Sequence, residues 1–318
     1  VLNRKFIPLI VTCCLFFLLF GIGSVQFEGF GSARVFFNLL SDNAFLIIAA
    51  VGMTFVILSG GIDLSVGAVI ALTGVVCSVL ISQYQWHPLL AFPVVLVGGT
   101  LFGAAMGAII HYYRMQPFIV TLAGMFFARG LASVISEESI PIDHTFYNDF
   151  SAFGFEVFDG AWIGSSTIIC LLVLLIAIVI AHYTRFGGRV YALGGDANSA
   201  ALMGIPLAQT TIAIYAISSL LATLAGIIYS FYTFSGYSLA AVGVELDAIA
   251  AVVIGGTLLT GGYGYLFGTL IGVLIMGVVQ TYISFDGTLS SWWTKIVIGL
   301  LLFCFIALQQ LLVKTRNP

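Results

Sequence analysis

Apolar residues fall in long runs along this chain, broken by short glycine-rich or charged punctuation. The runs cover roughly residues 7–25, 43–59, 64–82, 89–111, 117–136, 161–181, 211–233, 245–259, 263–284 and 294–313. A helix of about 20 apolar residues crosses the hydrocarbon core of a bilayer. The pattern therefore predicts an all-α polytopic membrane protein with about ten transmembrane helices, forming one transmembrane domain over residues 1–318. The runs at 43–59 and 245–259 are short for a full span. Discontinuous or re-entrant segments are expected near 59–67 and 255–268, because irregular backbone survives at membrane depth only where protein encloses it.

Composition sharpens this reading. Hydrophobic residues make up 61% of the 318 and charged residues 7%, whereas soluble domains average about 45–50% and about 25%. One soluble core could not hide so much apolar surface, so the lipid bilayer is the main partner. A net charge of −3 offers nothing to a nucleic acid. Cys13, Cys14, Cys77, Cys170 and Cys304 all lie in apolar runs with no CxxC pair, as small hydrophobes do. His87, His111, His144 and His182 are scattered, so neither a metal site nor a cofactor is expected. The N-terminal basic lead and apolar run resemble a signal peptide, but further spans follow and no cleavage pattern does. It reads as a retained first helix.

Lysine and arginine placement sets the expected orientation. With the N-terminus in the cytoplasm, Arg4, Lys5, Arg114, Arg185, Arg189, Lys314 and Arg316 fall inside, and Arg34 and Lys295 fall outside. Ten spans then bring both termini to the cytoplasm. A periplasmic loop of about 137–160 carries only acids among its charges, and a cytoplasmic loop of about 182–210 remains.

Glycines recur at 99, 103 and 107, and again at 264, 268 and 272. Such stripes let helix backbones approach closely in lipid. The segment SGGIDLSVG (59–67) is echoed by TGGYGYLFG (260–268), through either duplication or coincidence.

Motifs for chemistry are missing. No GxxxxGK[ST] phosphate cradle occurs, and no nucleophile–base arrangement stands out, so the chain is not expected to be an enzyme. Ionisable groups at membrane depth are costly and usually functional or paired. They are Asp63, Arg129, Glu245 and Asp247. Asp63, behind Ser59, Gly60 and Gly61, either caps the start of the next helix or lines a solute path. Glu245 and Asp247 stand in the same relation to the eighth helix. Arg129 either snorkels or pairs with a nearby acid, and pairing is the expectation.

The cytoplasmic loop reads HYTRFGGRVYALGGDANSAALMGIPLAQ. Asp196, after Gly194 and Gly195, can cap a short helix over 197–203. Gly204 suits a left-handed C-terminal position, and Pro206 stops continuation. A two-turn helix bearing Ala200 and Ala201 is marginal alone, so a groove on another protein is its expected support.

Here the chain resembles a known family. Gly194, Gly195, Ala200, Ala201, Gly204 and Ile205 resemble the coupling segment of permease subunits in ATP-binding-cassette importers. VGMTFVILSGGIDLSVG (51–67) and AIAAVVIGGTLLTGGYGYLFGTLIG (248–272) look like the ribose-type branch. SEESIPI (136–142) and FDGTLSSWWTKI (285–296) look most like a permease of a galactofuranose importer. The resemblance implies a second homologous permease as heterodimer partner, a separate cytoplasmic ATPase, a periplasmic sugar-binding protein and a place in the bacterial inner membrane. Asn43, Thr54, Ser59 and the aromatics of 229–237 are candidate sugar contacts. The rival reading is a secondary, ion-coupled sugar transporter built on broken helices and carboxylates such as Asp63.

Overall fold

The computed structural model describes residues 7–314 apart from 159 and 291, and the side chains of residues 8–309 among them. The terminal cations Arg4, Lys5 and Arg316, and the side chain of Lys314, lie outside the described residues.

The chain opens with α1 (Ile7–Gln26), α2 (Ala33–Asp42) and α3 (Ala44–Leu58). Next come α4 (Val66–Ser78), prolonged by a π-helical turn to Gln83, then α5 (Pro88–Tyr112) and α6 (Pro117–Ile135). The segment beyond holds β1 (Ile140–Pro141), α7 (Thr145–Ala152), β2 (Gly154–Phe158) and β3 (Ala161–Gly164). α8 (Ser165–Tyr183), α9 (Arg185–Gly195), α10 (Ala197–Leu202) and α11 (Leu207–Thr233) follow. The chain ends with β4 (Ser235–Gly236), α12 (Val244–Ile254), α13 (Leu266–Asp286) and α14 (Trp292–Lys314).

Among the described residues, eight helices are long and apolar enough to cross a membrane. The pair α2–α3, bent by 58°, makes a ninth span if taken as one. Helices alone thus supply eight or nine of the about ten spans expected. The run at 245–259 yields only the 11-residue α12, about 16 Å long and too short to span. Gly243 (φ +87°) precedes it and Gly256 (φ +92°) follows its end, and glycine tolerates the left-handed backbone that stops a helix. The non-helical stretch 235–243 covers the remaining distance.

Both glycine stripes pack helices. A Cβ on Gly107 would lie 2.8 Å from Ile212 Cα, and one on Gly103 would lie 2.5 Å from Ser219 Cβ, so α5 rides directly on α11. A Cβ on Gly272 would lie 2.9 Å from the Ala251 carbonyl carbon, so α13 rides on α12 in the same way. α3 is the central element, with every residue but Phe45 buried.

The two ends of the bundle differ. At the hairpin end, β1 pairs antiparallel with β4 and β2 with β3. The Ser82 hydroxyl donates to the Pro141 carbonyl at 2.7 Å, and Tyr147 of α7 stacks near Phe231. The expected plain loop at 137–160 is thus a small folded cap. At the opposite end lie α9, α10 and the turns at 59–61 and 260–262.

Candidate functional site

The loop expected at 182–210 is two helices rather than one. The Thr184 hydroxyl accepts the Gly187 N–H at 3.3 Å and starts α9. Asp196 accepts the Ser199 N–H at 2.6 Å and starts α10. That backbone bond, with the Ser199 hydroxyl after it, holds the Asp196 carboxyl below the usual aspartate range. Gly204 has φ +77°, and the Ile205 N–H donates back to the Ala200 carbonyl at 3.1 Å. α10 is six residues long, shorter than the two turns expected, because its C-terminal reversal begins at Met203. Ala200 is fully buried within the chain. Ala201 points outward, and Leu202 and Met203 are 89% and 68% exposed.

Beneath α9 and α10, Gly194–Gly195 packs on Gly261–Gly262, and Gly261 packs on Gly60. The Gly262 N–H donates to the Leu58 carbonyl at 2.9 Å, which joins the turn after α12 to the end of α3. A Cβ on Gly261 would lie 2.7 Å from Gly60 N and 3.0 Å from Gly194 O. One on Gly262 would lie 2.9 Å from Gly195 Cα. Gly60, Gly261 and Gly262 all have positive φ. The Tyr191 hydroxyl of α9 donates to the Gly264 carbonyl at 2.7 Å. The echo between SGGIDLSVG and TGGYGYLFG is therefore a physical contact: the two turns touch at Gly60 and Gly261, and Gly194–Gly195 touches Gly261–Gly262 and Leu58, the residue before the first turn. Backbone meets backbone here, so no side chain can flex to absorb a displacement.

From Gly60 the chain turns back into the bundle. Asp63 is fully buried. Its Oδ1 accepts the Ser65 N–H at 2.9 Å and the Ser65 hydroxyl at 2.7 Å, and its Oδ2 accepts the Ser218 hydroxyl at 2.7 Å. Ser218 lies about 16 Å along α11, a helix about 40 Å long at 1.5 Å per residue. Asp63 thus sits deep in the bundle. It satisfies the N–H of Ser65, the residue before α4, rather than the N–H groups inside the helix as expected. Ser218 of α11 is the partner that sequence spacing could not supply.

The other polar candidates are spread along α3. Asn43, at the α2–α3 bend, donates to the Leu39 carbonyl at 2.9 Å and lies beside Gly277. Thr54, about 16 Å further along the helix, bonds the Ala50 carbonyl at 2.7 Å and the Thr269 hydroxyl at 2.8 Å. Ser59 donates to the Val56 carbonyl at 2.7 Å. The fold links Gly60 to Gly194 and Gly195 through Gly261 and Gly262, and sets Gly61 against Tyr215 and Val56; it does not gather Asn43, Thr54 and Ser59 around one cavity.

A second buried arm was not expected. Residues 236–243 run antiparallel to α4. A Cβ on Gly236 would lie 2.5 Å from the Gly74 carbonyl carbon, and one on Gly67 would lie 2.6 Å from Ala241 O. Arg129 of α6 holds the arm by donating to the carbonyls of Ser238 (2.7 Å) and Ala240 (2.6 Å). Arg129 meets the expected acid, Glu245, through charge alone; its hydrogen bonds go to backbone carbonyls, which non-helical backbone leaves unpaired. Glu245 accepts the Gly243 N–H at 3.2 Å, and Asp247 forms an ion pair with Lys295 at 2.7 Å. Among the described residues, no group of three or more His, Cys, Asp or Glu could hold a metal ion.

Tyr191, Leu202, Met203 and Ser218 join the site without having been singled out from the sequence. Only the solvent-facing Leu202–Met203 pair, apolar in a polar loop, carried a readable signal.

The chain matches the family described as "Branched-chain amino acid transport system / permease component" over residues 35–306. It is 58% identical over 307 residues to the inner membrane ABC transporter permease protein YjfF of Escherichia coli K12, covering 96% of this chain and 93% of that one. It is 40% identical to the fructose import permease protein FruG of Bifidobacterium longum, covering 97% and 92%. It is 39% identical to the ribose import permease protein RbsC of Escherichia coli K12, covering 88% and 87%. No solved structure matches the chain.

Proposed function

Because this chain belongs to the permease-component family of branched-chain amino acid transport systems, we propose that it is the membrane permease of an ATP-binding-cassette importer for a monosaccharide, galactofuranose. Relatives named for fructose and ribose import, aligned over most of both chains, support the sugar class. The segments SEESIPI and FDGTLSSWWTKI support galactofuranose within it. The chain forms half of the translocation path, with a homologous permease as the other half of a heterodimer. A separate ATPase binds below, and a periplasmic sugar-binding protein delivers from above.

The reading places the α10 end in the cytoplasm, with both termini, and the hairpin end in the periplasm of an inner membrane. Arg114, Arg185 and Arg189 lie toward the first end; Glu137, Glu138, Asp143, Asp149 and Glu156 lie toward the second. This distribution obeys the positive-inside rule.

The carrying observation is a short capped helix whose apolar side chains face outward while its root rests on the glycine seam. Leu202 and Met203 fill a groove on the ATPase. Closure of the ATPase pair on ATP displaces α10, and the seam passes that displacement to the turns at 59–61 and 260–262. Those turns end α3 and α12 and lead into α4 and α13, so four membrane elements shift together and access alternates. The protein performs no covalent step; hydrolysis occurs on the partner.

Two measurements test this. Collapsing the proton gradient while ATP is maintained should leave sugar uptake intact, and loss of uptake would favour an ion-coupled secondary transporter. Gly204→Arg, or removal of 196–204, should abolish co-purification of the ATPase while membrane insertion persists. Undiminished co-purification would overturn the docking assignment.

A further inference from the structure

Three cavities can be compared by chemistry. The one between α1, α13 and α14, about 250 Å³, is walled by apolar side chains and the Tyr282 ring. The one beside α7, about 390 Å³, is lined mainly by phenylalanine and isoleucine. The third, about 310 Å³, lies at the hairpin end between α2, α7, β3, α8 and α11. Its lining includes Asn38, Asp42, Ser151, Ser166, Trp162 and Tyr232.

This third cavity has unspent hydrogen-bonding capacity. Ser41 and Ser165 also line it, but their hydroxyls bond Thr167 and the Phe150 carbonyl, each within the fold. Among the described residues, the side chains of Asn38, Asp42, Ser151 and Ser166 make no protein hydrogen bond, and Asp42 forms no ion pair. A carboxylate and an amide at successive turns of α2 offer paired acceptors and donors to neighbouring hydroxyls. Trp162 and Tyr232 offer ring faces to the C–H face of a sugar. Small-ligand pockets run about 300–1,000 Å³, so this one suits a single ring with a little water.

We propose that this cavity is a lodging site for one neutral sugar ring, where the substrate rests after delivery and before it enters the path. The proposal rests on the importer reading for the identity of the ligand, and on the cavity's own chemistry for its place. Asp42 is the last residue of α2, immediately before the bend at Asn43. An occupied site therefore abuts the one bent span among the described helices.

The test uses the assembled transporter in proteoliposomes. A chain with its native cysteines replaced receives Asn38→Cys, and labelling by an impermeant maleimide is timed with ribose, fructose or galactose present. At least one sugar should slow labelling about tenfold or more, as a contact that excludes the reagent requires, and Trp162→Ala should remove that protection. Asp42→Asn should lower maximal ATP-driven uptake of the same sugar by about tenfold, the order expected for a hydrogen bond to a charged group. Asp149→Asn, in the apolar cavity beside α7, should leave uptake unchanged. Labelling indifferent to all three sugars, or wild-type uptake by Asp42→Asn, overturns the site while ATP-driven uptake by the unmodified transporter upholds the importer. If the unmodified transporter takes up none of the three, the importer reading fails for these sugars; the protection measurement still decides whether the cavity binds one.

Discussion

Adjacent glycines at the root of α10 should respond in opposite ways to one added methyl group. On Gly194 a Cβ would lie 2.6 Å from Gly262 N and 2.9 Å from the Leu58 carbonyl carbon, with the Leu58 oxygen nearer still. Ordinary contact begins near 3.4 Å, so the seam must open by about 0.8 Å at Gly262 alone. All three obstacles are backbone atoms. Overpacking of this kind costs about 1–3 kcal/mol. Opening also lengthens the bond from the Gly262 N–H to the Leu58 carbonyl, worth about 0.5–1.5 kcal/mol net. Together these give a penalty of about 1.5–4.5 kcal/mol. On Gly195, by contrast, a Cβ meets nothing within 4 Å, and alanine in a helix is favoured over glycine by about 0.5–1 kcal/mol.

Hydrogen exchange resolved by mass spectrometry reads the difference at the Gly262 amide. A loss of about 2 kcal/mol in local opening free energy speeds exchange about 30-fold. Gly194→Ala should show an increase of that order, with ATPase co-purification retained and sugar moved per ATP reduced. Gly195→Ala should match the wild type in exchange. Equal exchange in the two variants, or full coupling in Gly194→Ala, would refute the seam as the mechanical link.

Other outcomes follow from the same contacts. Asp63→Ala removes the acceptor for three buried donors at about 1–3 kcal/mol each, so detergent-stable yield should collapse, whereas Asp63→Asn should lose less; a changed sugar preference at normal yield would contradict this structural role. Arg129→Met frees the Ser238 and Ala240 carbonyls and should speed exchange across 237–243 about tenfold or more, since charged hydrogen bonds are worth about 1.5–3 kcal/mol; unaltered exchange would show that the arm holds itself. Asp196→Ala should weaken ATPase co-purification and Asp196→Ser should restore much of it; equal binding by all three would remove the cap from the argument. Because the Asp196 carboxyl sits below its ordinary value in the folded chain, its stabilisation of α10 is complete above the unfolded value of 3.8 and is lost as pH falls through the folded one. Helix loss on acidification should therefore be shifted in Asp196→Asn, and an identical acid profile would count against it.

Much of the membrane architecture was readable in the chain itself. Long apolar runs and scarce charge dictate helices in lipid, because no other open structure satisfies backbone groups there. The glycine stripes on α5 and α13 announced close packing, since a missing Cβ is a property of sequence alone. The cap at Asp196 and the reversal at Gly204 were equally legible, being contacts between residues a few positions apart.

Tertiary structure decided what depends on residues distant in sequence. That Gly60, Gly194–Gly195 and Gly261–Gly262 form one seam, that Asp63 answers to Ser218, and that Arg129 grips the arm at 236–243 are contacts spanning roughly 60 to 200 positions. Hydropathy gave 245–259 as a candidate span, short for a crossing, but not where its helix stops, because it measures affinity for lipid, not backbone direction. The short α12 and the non-helical arm before it exist because Arg129 bonds the arm's carbonyls and Gly67 and Gly74 leave it room, where lipid could do neither.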